Sequence, residues 1–231
     1  MIQDKDLGEI TFKQNLRAKR MSIRILSNSL LVSLPRGYGE KEGLKLIDEI
    51  REKLIKRQKS VNNKAIVLTE GNALTTLTFT VHIRKAERNN LFSSLKSGIL
   101  NIDYPQNLNI EDSQTQAYFW KSINYFLRKE AQRILPHRTQ ILAESYGFSF
   151  TDVKIQSSKT RWGSCNRNKN INLSFYLMLL PQHLVDYVIL HELCHTREMN
   201  HSPQFWEWMD RVTDGKGKKL RSELKNFSIP K

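Results

Sequence analysis

The 231-residue sequence has little cysteine, no long apolar run and no recognisable export signal. Its two cysteines, Cys165 and Cys194, do not form a CxxC pair, which argues against a disulfide scaffold and a zinc ribbon. The longest apolar run, residues 173–180, is far shorter than the roughly 20 residues that a membrane helix needs. The N-terminus lacks the basic start and apolar stretch of a signal peptide. These absences predict a cytoplasmic protein without membrane segments.

Acidic residues are few relative to basic ones. The chain has 37 Lys and Arg against 23 Asp and Glu, which gives a net charge of +14. A charge this far from zero favours anionic partners such as nucleic acids, nucleotides or acidic proteins. The basic residues are spread along the chain instead of forming a tail. A solvated cationic surface is therefore the simpler explanation, and a nucleic-acid or nucleotide contact is the alternative.

The first half of the sequence has the pattern of β-strands. Hydrophobic residues make up 39% and charged residues 26%, which is ordinary globular usage. Apolar and polar residues alternate over residues 21–25 and 77–83, as in half-buried strands. Between these runs, residues 40–58 show the period of one amphipathic helix. We therefore predict that residues 1–110 form a β-rich N-terminal module with one helix.

From residue 113 the apolar period becomes helical and predicts a long helix that ends near Gly147, with a kink or restart at Pro136. Two short strands are predicted around residues 153–156 and 171–175. A helix from Pro181 through His195 follows, and another begins at Ser202 and Pro203. The whole chain is thus predicted to be an α+β protein, with residues 111–231 as a second domain.

The strongest chemical signal is the HExxH motif formed by His191, Glu192 and His195. Histidines four residues apart lie on the same face of a helix, so both imidazoles can reach one metal ion. The glutamate beside the first histidine can take a proton from bound water. The alternative is that both histidines are core residues and that Glu192 pairs with Arg197 on the surface.

A catalytic zinc needs three protein ligands and one open position for water. His201 is the natural third ligand, but on a continued helix it would point away from the first two histidines. The helix must therefore end, and the chain must reverse between Thr196 and Asn200. Glu198 and Glu207 are alternative oxygen donors.

The motif and its neighbours resemble the YgjP-like metallopeptidase family, which is related to the SprT-like proteases. The matching stretches are the HExxH motif, Asn200-His201-Ser202, Phe205-Trp206, Arg161-Trp162-Gly163-Ser164-Cys165 and Ile171-Asn172-Leu173. The resemblance implies a zincin-like catalytic domain that binds one Zn2+ per chain through His191, His195 and His201. It also implies that Glu192 is the general base and that the substrate is a peptide or protein. The ligand spacing equals that of the metzincins, but Glu198 stands where they carry glycine, which puts metzincin membership in doubt.

Residues that contact the substrate are less clearly marked. Arg161, Asn172 and Arg197 are candidates for stabilising a developing oxyanion, on proximity in sequence alone. The strand at residues 171–175 is either an edge strand that receives an extended peptide or the inner strand of a hairpin. Trp162 lies among basic residues and either stacks on nucleic-acid bases or anchors its loop to the core.

Three functions remain open at this level. The first is a zinc-dependent peptidase that hydrolyses peptide bonds by zinc-activated water with Glu192 as base. The second is a metal-dependent nucleoside triphosphate pyrophosphatase or phosphohydrolase, since the same ion and base could attack phosphorus. The third is a nucleic-acid-binding module with a structural zinc, in which a fourth protein ligand would close the site. The oligomeric state is not predicted.

Overall fold

A computed structural model of the chain describes residues 2–25, 29–55, 67–71 and 74–229. These residues have mixed α and β structure, and the predicted α+β class is confirmed. They fall into two compact units, one within the first 66 residues and the other over residues 67–229. The second unit contains every candidate site residue.

The first unit is a four-stranded sheet with a helix. Its elements are β1 (Ile2–Asp4), β2 (Gly8–Gln14), β3 (Ser22–Ile25), β4 (Ser29–Leu34) and α1 (Glu40–Glu49). The strand order is β1-β2-β4-β3, with β2 and β4 parallel. The inward-facing residues of β4 pack with Ile10 and Ile47 in one core. Residues 51–55 are again helical after a turn at Ile50, and the rest of the predicted 40–58 helix lies outside the described residues.

The second unit begins with another four-stranded sheet. Its strands are β5 (Leu74–Thr75), β6 (Thr80–Ala86), β7 (Phe92–Lys96) and β8 (Ile99–Pro105), in the order β5-β6-β8-β7. Val81 and Ile102 of this sheet belong to the same buried cluster as Phe119 of the following helix. The predicted boundary between residues 110 and 111 therefore lies inside the second unit. Alternation identifies a strand, but it does not show which core the buried face joins.

One long helix, α2 (Ser113–Tyr146), follows that sheet. Asp112 caps it by accepting hydrogen bonds from the backbone N–H groups of Gln114 and Thr115. Gly147 ends it in the left-handed conformation with φ of 68°, as the sequence predicts. Pro136 lies within a single continuous helix, so it does not separate two helices as the restart alternative would require.

A three-stranded sheet lies between α2 and the last helices. Its strands are β9 (Asp152–Gln156), β10 (Gly163–Cys165) and β11 (Asn170–Ser174), in the order β10-β11-β9. The edge-strand hypothesis for residues 171–175 is wrong, because β11 is central and pairs with β10 in a hairpin. One edge of the sheet is β10, which was not predicted as a strand because its three small residues show no alternation.

The last described elements are four helices, and most residues of the second one are buried. They are a 3-10 helix (Phe175–Leu179), α3 (Gln182–Cys194), α4 (Pro203–Val212) and α5 (Gly217–Leu224). Ser202 caps α4 by accepting from the Phe205 N–H at 3.3 Å, as predicted, whereas Pro181 is the N-cap of α3 and not its first residue. None of the helices in the described segments is long and apolar enough to cross a membrane. The central position of α3 holds the HExxH residues inside the second unit.

We predict that the Arg138–Asp186 ion pair, which joins α2 to α3, stabilises the second unit. Both guanidinium-to-carboxylate contacts are 2.7 Å, and the two side chains are only 33% and 19% exposed. Arg138→Met should lower the free energy of unfolding by about 1–3 kcal/mol in urea titrations. The control is Arg133→Met, which removes the pair with Glu130 from a 64% exposed arginine. It should cost less than about 1 kcal/mol, and an equal loss in both variants would contradict the prediction.

Candidate metal centre

The site begins where α3 ends. His191 and Glu192 lie in the last turn of this helix and His195 is its C-cap residue. The chain then reverses: the N–H of Thr196 bonds to the Leu193 carbonyl at 2.9 Å, and the Thr196 hydroxyl donates to the same oxygen at 2.7 Å. This turn brings His201 back toward the helix, directly before the cap of α4. The structure therefore contains the reversal that the third ligand requires.

The three imidazoles face one another through the same nitrogen. Nε2 of His191 is 3.2 Å from Nε2 of His195 and 3.1 Å from Nε2 of His201. The ligand atoms of all three lie within 4.8 Å of one another. Nitrogens about 2.0–2.1 Å from a tetrahedral zinc would be about 3.3–3.4 Å apart, which is close to these separations. The donor set thus fits a zinc ion, and neither Glu198 nor Glu207 is part of the group.

The surroundings of the histidines fix their ring orientation. Nδ1 of His195 is 2.9 Å from the Glu198 carbonyl, so it acts as the N–H donor and Nε2 keeps its lone pair. Phe205, fully buried on α4, lies against all three rings at centroid distances of 4.6–4.9 Å. Its supporting role was not predicted, although the residue stands in a family-matching stretch of the sequence.

Burial also sets the protonation state of the histidines. It lowers the pKa of His191 to about 3, with further lowering by His195, His201 and Arg221. Burial likewise lowers the pKa of His195, against a hydrogen bond with Glu198 that raises it. Near neutral pH both rings are uncharged and can donate lone pairs, which is the state that a metal ligand requires.

Glu192 is a buried carboxyl group, with 5% of the residue exposed. It packs against Gly163 of β10 so closely that a Cβ there would lie 2.6 Å from the glutamate Oε1. Burial raises the pKa of Glu192 to about 8, and the positive charge of Arg161 opposes this rise. A cation nearby would favour the carboxylate form. Because Gly163 has no side chain, there is space for Glu192 against β10.

A cavity of about 310 Å3 opens beside the histidines and Glu192. Its lining residues come from the start of β10, from α3, from the turn before α4 and from α5. They are Arg161, Trp162, Gly163, Tyr187, Val188, His191, Glu192, His201, Arg221 and Leu224. Trp162 is half-buried against the core, which favours the second of its two alternatives, an anchor of the loop.

Of the three candidate substrate residues, only Arg161 lines the cavity. Asn172 lies in β11, where its Oδ1 accepts from Gln156 at 2.6 Å. Arg197 donates to the Gly147 carbonyl and lies over the rings of Phe148 and Trp208, so it fastens the turn after α3 to the end of α2. It does not pair with Glu192. Proximity in sequence could not separate these cases, because it does not give the direction of a side chain.

Val188, Arg221 and Leu224 also line the cavity but were not predicted as substrate contacts, and Tyr187 was a weaker candidate than Arg161, Asn172 and Arg197. Tyr187 and Val188 stand four and three residues before His191, so helical spacing alone could have placed them beside it. Arg221 and Leu224 belong to α5, thirty residues further along the chain. No local pattern marks these two, since only the packing of α5 against α3 brings them to the cavity.

We predict that zinc stabilises the protein through the three histidines. Added zinc should raise the Tm of chelator-treated protein, because the ion binds the folded ligand set. His195→Ala should lose this rise and at least about tenfold in zinc affinity. The control is His82→Ala, an exposed histidine of β6 outside the cluster. A zinc-dependent Tm rise that survives His195→Ala would contradict the assignment.

From the raised pKa of Glu192 we predict how the stability of the metal-free protein depends on pH. Because the folded pKa of about 8 lies above the ordinary value of 4.5, the folded state loses stability as pH rises from 4.5 to 8. Glu192→Gln removes this loss. The variant should match the wild type near pH 4.5 and exceed it above pH 8, by on the order of 4 kcal/mol.

The measurement is urea unfolding of both proteins between pH 4.5 and pH 9. The exposed Glu111→Gln variant loses the same charge and should show no such pH-dependent difference. A constant difference between wild type and Glu192→Gln across this range would contradict the raised pKa.

This chain is similar to one protein family and to two solved structures. The model of the YgjP-like, metallopeptidase domain family matches residues 19–227. The curated proteins give no match. The metallopeptidase zymogen abylysin of Pyrococcus abyssi has 20% identity and a TM-score of 0.36, over 39% of this chain and 90% of that chain. The zymogen of Methanocaldococcus jannaschii jannalysin has 21% identity and a TM-score of 0.32, over 38% and 94%.

The family match decides the family of this protein. It spans most of the sequence and includes α3, β10 and all three histidines of the metal centre. The resemblance stated from the motifs is therefore confirmed, and this chain belongs to the YgjP-like metallopeptidase domain family.

Proposed function

We propose that the protein is a zinc-dependent peptidase with Glu192 as its general base. The observation that carries the proposal is the convergence of three imidazole Nε2 atoms beside a buried carboxyl group on the wall of one cavity. Membership of a metallopeptidase family implies a divalent metal and a peptide or protein substrate. His191, His195 and His201 would hold the ion.

A zinc ion bound by these imidazoles would act as a Lewis acid that polarises the substrate carbonyl and acidifies water. Glu192 accepts the proton of the attacking water, since a neighbouring dication favours its carboxylate form. Glu192 then returns that proton to the leaving nitrogen. The Glu198 carbonyl holds the His195 ring in place during these steps.

The fourth coordination position decides between a catalytic and a structural zinc. A structural site has four protein ligands, whereas a catalytic site leaves one position open. Within the described residues, the cluster contains three ligating side chains and no fourth His, Cys, Asp or Glu. This supports the peptidase over the nucleic-acid-binding module with a structural zinc.

The edge strand β10 offers a place for the substrate backbone. Its residue Gly163 contacts Glu192, and β11 is its only partner in the described sheet. An extended peptide that pairs with this edge would bring its carbonyl groups close to the proposed base. Pairing with an extended peptide, which was considered for residues 171–175, is thus proposed for residues 163–165.

A second candidate function is hydrolysis of a phosphoanhydride in a nucleoside triphosphate. The observation that favours it is the presence of two arginines, Arg161 and Arg221, in the lining of the cavity. Guanidinium groups bind phosphate oxygens well. Cleavage of a phosphoanhydride usually requires magnesium or manganese on the phosphates, so metal dependence separates the two reactions.

The test is turnover of the zinc-loaded protein on unfolded proteins and, separately, on nucleoside triphosphates with and without magnesium. We predict peptide cleavage with zinc alone and an at least 1000-fold loss of turnover in Glu192→Gln, which should keep one zinc per chain. Glu111→Gln should retain full activity. A fully active Glu192→Gln variant would refute the assigned base, and triphosphate cleavage without peptide cleavage would favour the second function.

Gly163→Ala tests the position of Glu192 without changing the carboxyl group itself. The added methyl must displace the Glu192 side chain, so turnover should fall at least tenfold while zinc content stays the same. Gly71→Ala is the matched control, because a Cβ there would have no atom of the described residues within 4 Å. Normal turnover in Gly163→Ala would show that this contact does not position the base.

A further inference from the structure

The cavity beside the histidines contains side chains that the proposed peptide hydrolysis does not use. Tyr187, Val188 and Leu224 give part of its wall an apolar character. Arg161 and Arg221 add two guanidinium groups to the same lining, against a single carboxyl group, that of Glu192. A pocket of this volume next to a reacting centre can hold a group of the substrate.

The two arginines reach the cavity from separate parts of the second unit. Arg161 lies two residues before the first residue of β10, and Arg221 lies in the last turn of α5. Among the ion pairs of the described residues, neither arginine has an Asp or Glu partner. Neither guanidinium group is therefore held in an ion pair, although the charge of Arg161 acts on the carboxyl group of Glu192.

Contacts within the unit hold Arg221 close to the histidines. Its guanidinium carbon lies 5.3 Å from the centre of the Trp206 ring, and that ring lies against His201 at 6.4 Å. A second contact joins α5 to α3, because Nε2 of His183 on α3 is 2.6 Å from Oε1 of Glu223 on α5. The position of Arg221 is thus a consequence of helix packing.

These features define the chemistry of a matching substrate group. Two guanidinium groups that form no ion pair with an Asp or Glu of the described residues favour a carboxylate, which can accept charge-assisted hydrogen bonds. The methylene groups of an acidic side chain could lie against Val188 and Leu224. A lysine in the same place would face two like charges, and a purely aliphatic residue would leave the guanidinium groups without an acceptor.

We propose that this cavity binds an acidic residue of the substrate next to the scissile bond, and that Arg161 and Arg221 determine this specificity. The inference rests on the proposed peptidase function and adds the substrate class. Arg221 acts on substrate binding and Arg161 does so in addition to its effect on the pKa of Glu192, whereas Glu192 and the histidines act on the reaction itself.

The first experiment identifies cleavage sites in a peptide library treated with zinc-loaded enzyme. The wild type should select Asp and Glu at one position beside the scissile bond. For a peptide with Glu at that position, Arg161→Met and Arg221→Met should each lower kcat/KM about tenfold. For the Gln analogue, the change in Arg221→Met should stay within about twofold, whereas Arg161→Met also removes a charge that acts on Glu192. Lys219→Met removes a charge from the same helix without lining the cavity, and it should leave the preference unchanged.

The second experiment measures binding without turnover, by calorimetry on the zinc-loaded Glu192→Gln variant. The probes are capped tetrapeptides with Glu or Gln at each position in turn, and ATP. We expect Glu to bind about tenfold more tightly than Gln at one position. This difference should vanish when Arg221→Met is added and should shrink at high salt.

The outcomes separate this inference from the proposed function. Peptide cleavage without acidic preference would overturn the inference and leave the peptidase assignment intact. A wild type that cleaves no peptide, with Glu-selective tetrapeptide binding retained, would refute the peptidase assignment and support the acidic-group pocket. Arginine-dependent binding of ATP without discrimination between Glu and Gln would overturn the assignment to a carboxylate, because the pocket would then bind phosphate.

Discussion

The end of α3 is the feature on which the rest of the site depends. His191 and His195 lie one helical turn apart on α3, so the third ligand must come from outside the helix. The turn after His195 brings His201 back to them. The hydrogen bond from His195 Nδ1 to the Glu198 carbonyl has two effects: it orients the His195 ring as a ligand, and it closes the turn. Phe205 then supports all three rings from α4. Without this arrangement, the half-buried, uncharged imidazoles of His191 and His195 would have no evident role.

The same packing separates the tasks of neighbouring side chains. Glu192 is buried against a glycine, which raises its pKa and keeps it beside the cavity. Arg197, only five residues away, is held over Phe148 and Trp208 and stabilises the turn. Arg161 remains at the cavity, where it counteracts part of the burial effect on Glu192. The direction in which each charged side chain points therefore decides its role, and residues close in sequence have different roles.

Local patterns predicted the elements that carry the ligands, and long-range packing accounts for the rest. Helical period, Ser202 and Gly147 were sufficient to predict α2, α3 and the start of α4, since caps and periodicity depend on near neighbours. The edge strand β10 and the domain boundary were not predictable in this way. Three small residues carry no period, and the alternation in β6 and β8 gave no sign that their core was that of α2. Arg221 reaches the site through the packing of α5, which no local motif encodes.

The central claim is that three imidazoles and one open position define a catalytic metal centre. X-ray absorption at the zinc edge of the loaded protein tests this most directly, because it counts and types the atoms bound to the ion. We expect three histidine nitrogens at about 2.0–2.1 Å and one further light atom that exchanges with solvent or inhibitor. A fourth ligand from the protein, or fewer than three histidine nitrogens, would contradict the account.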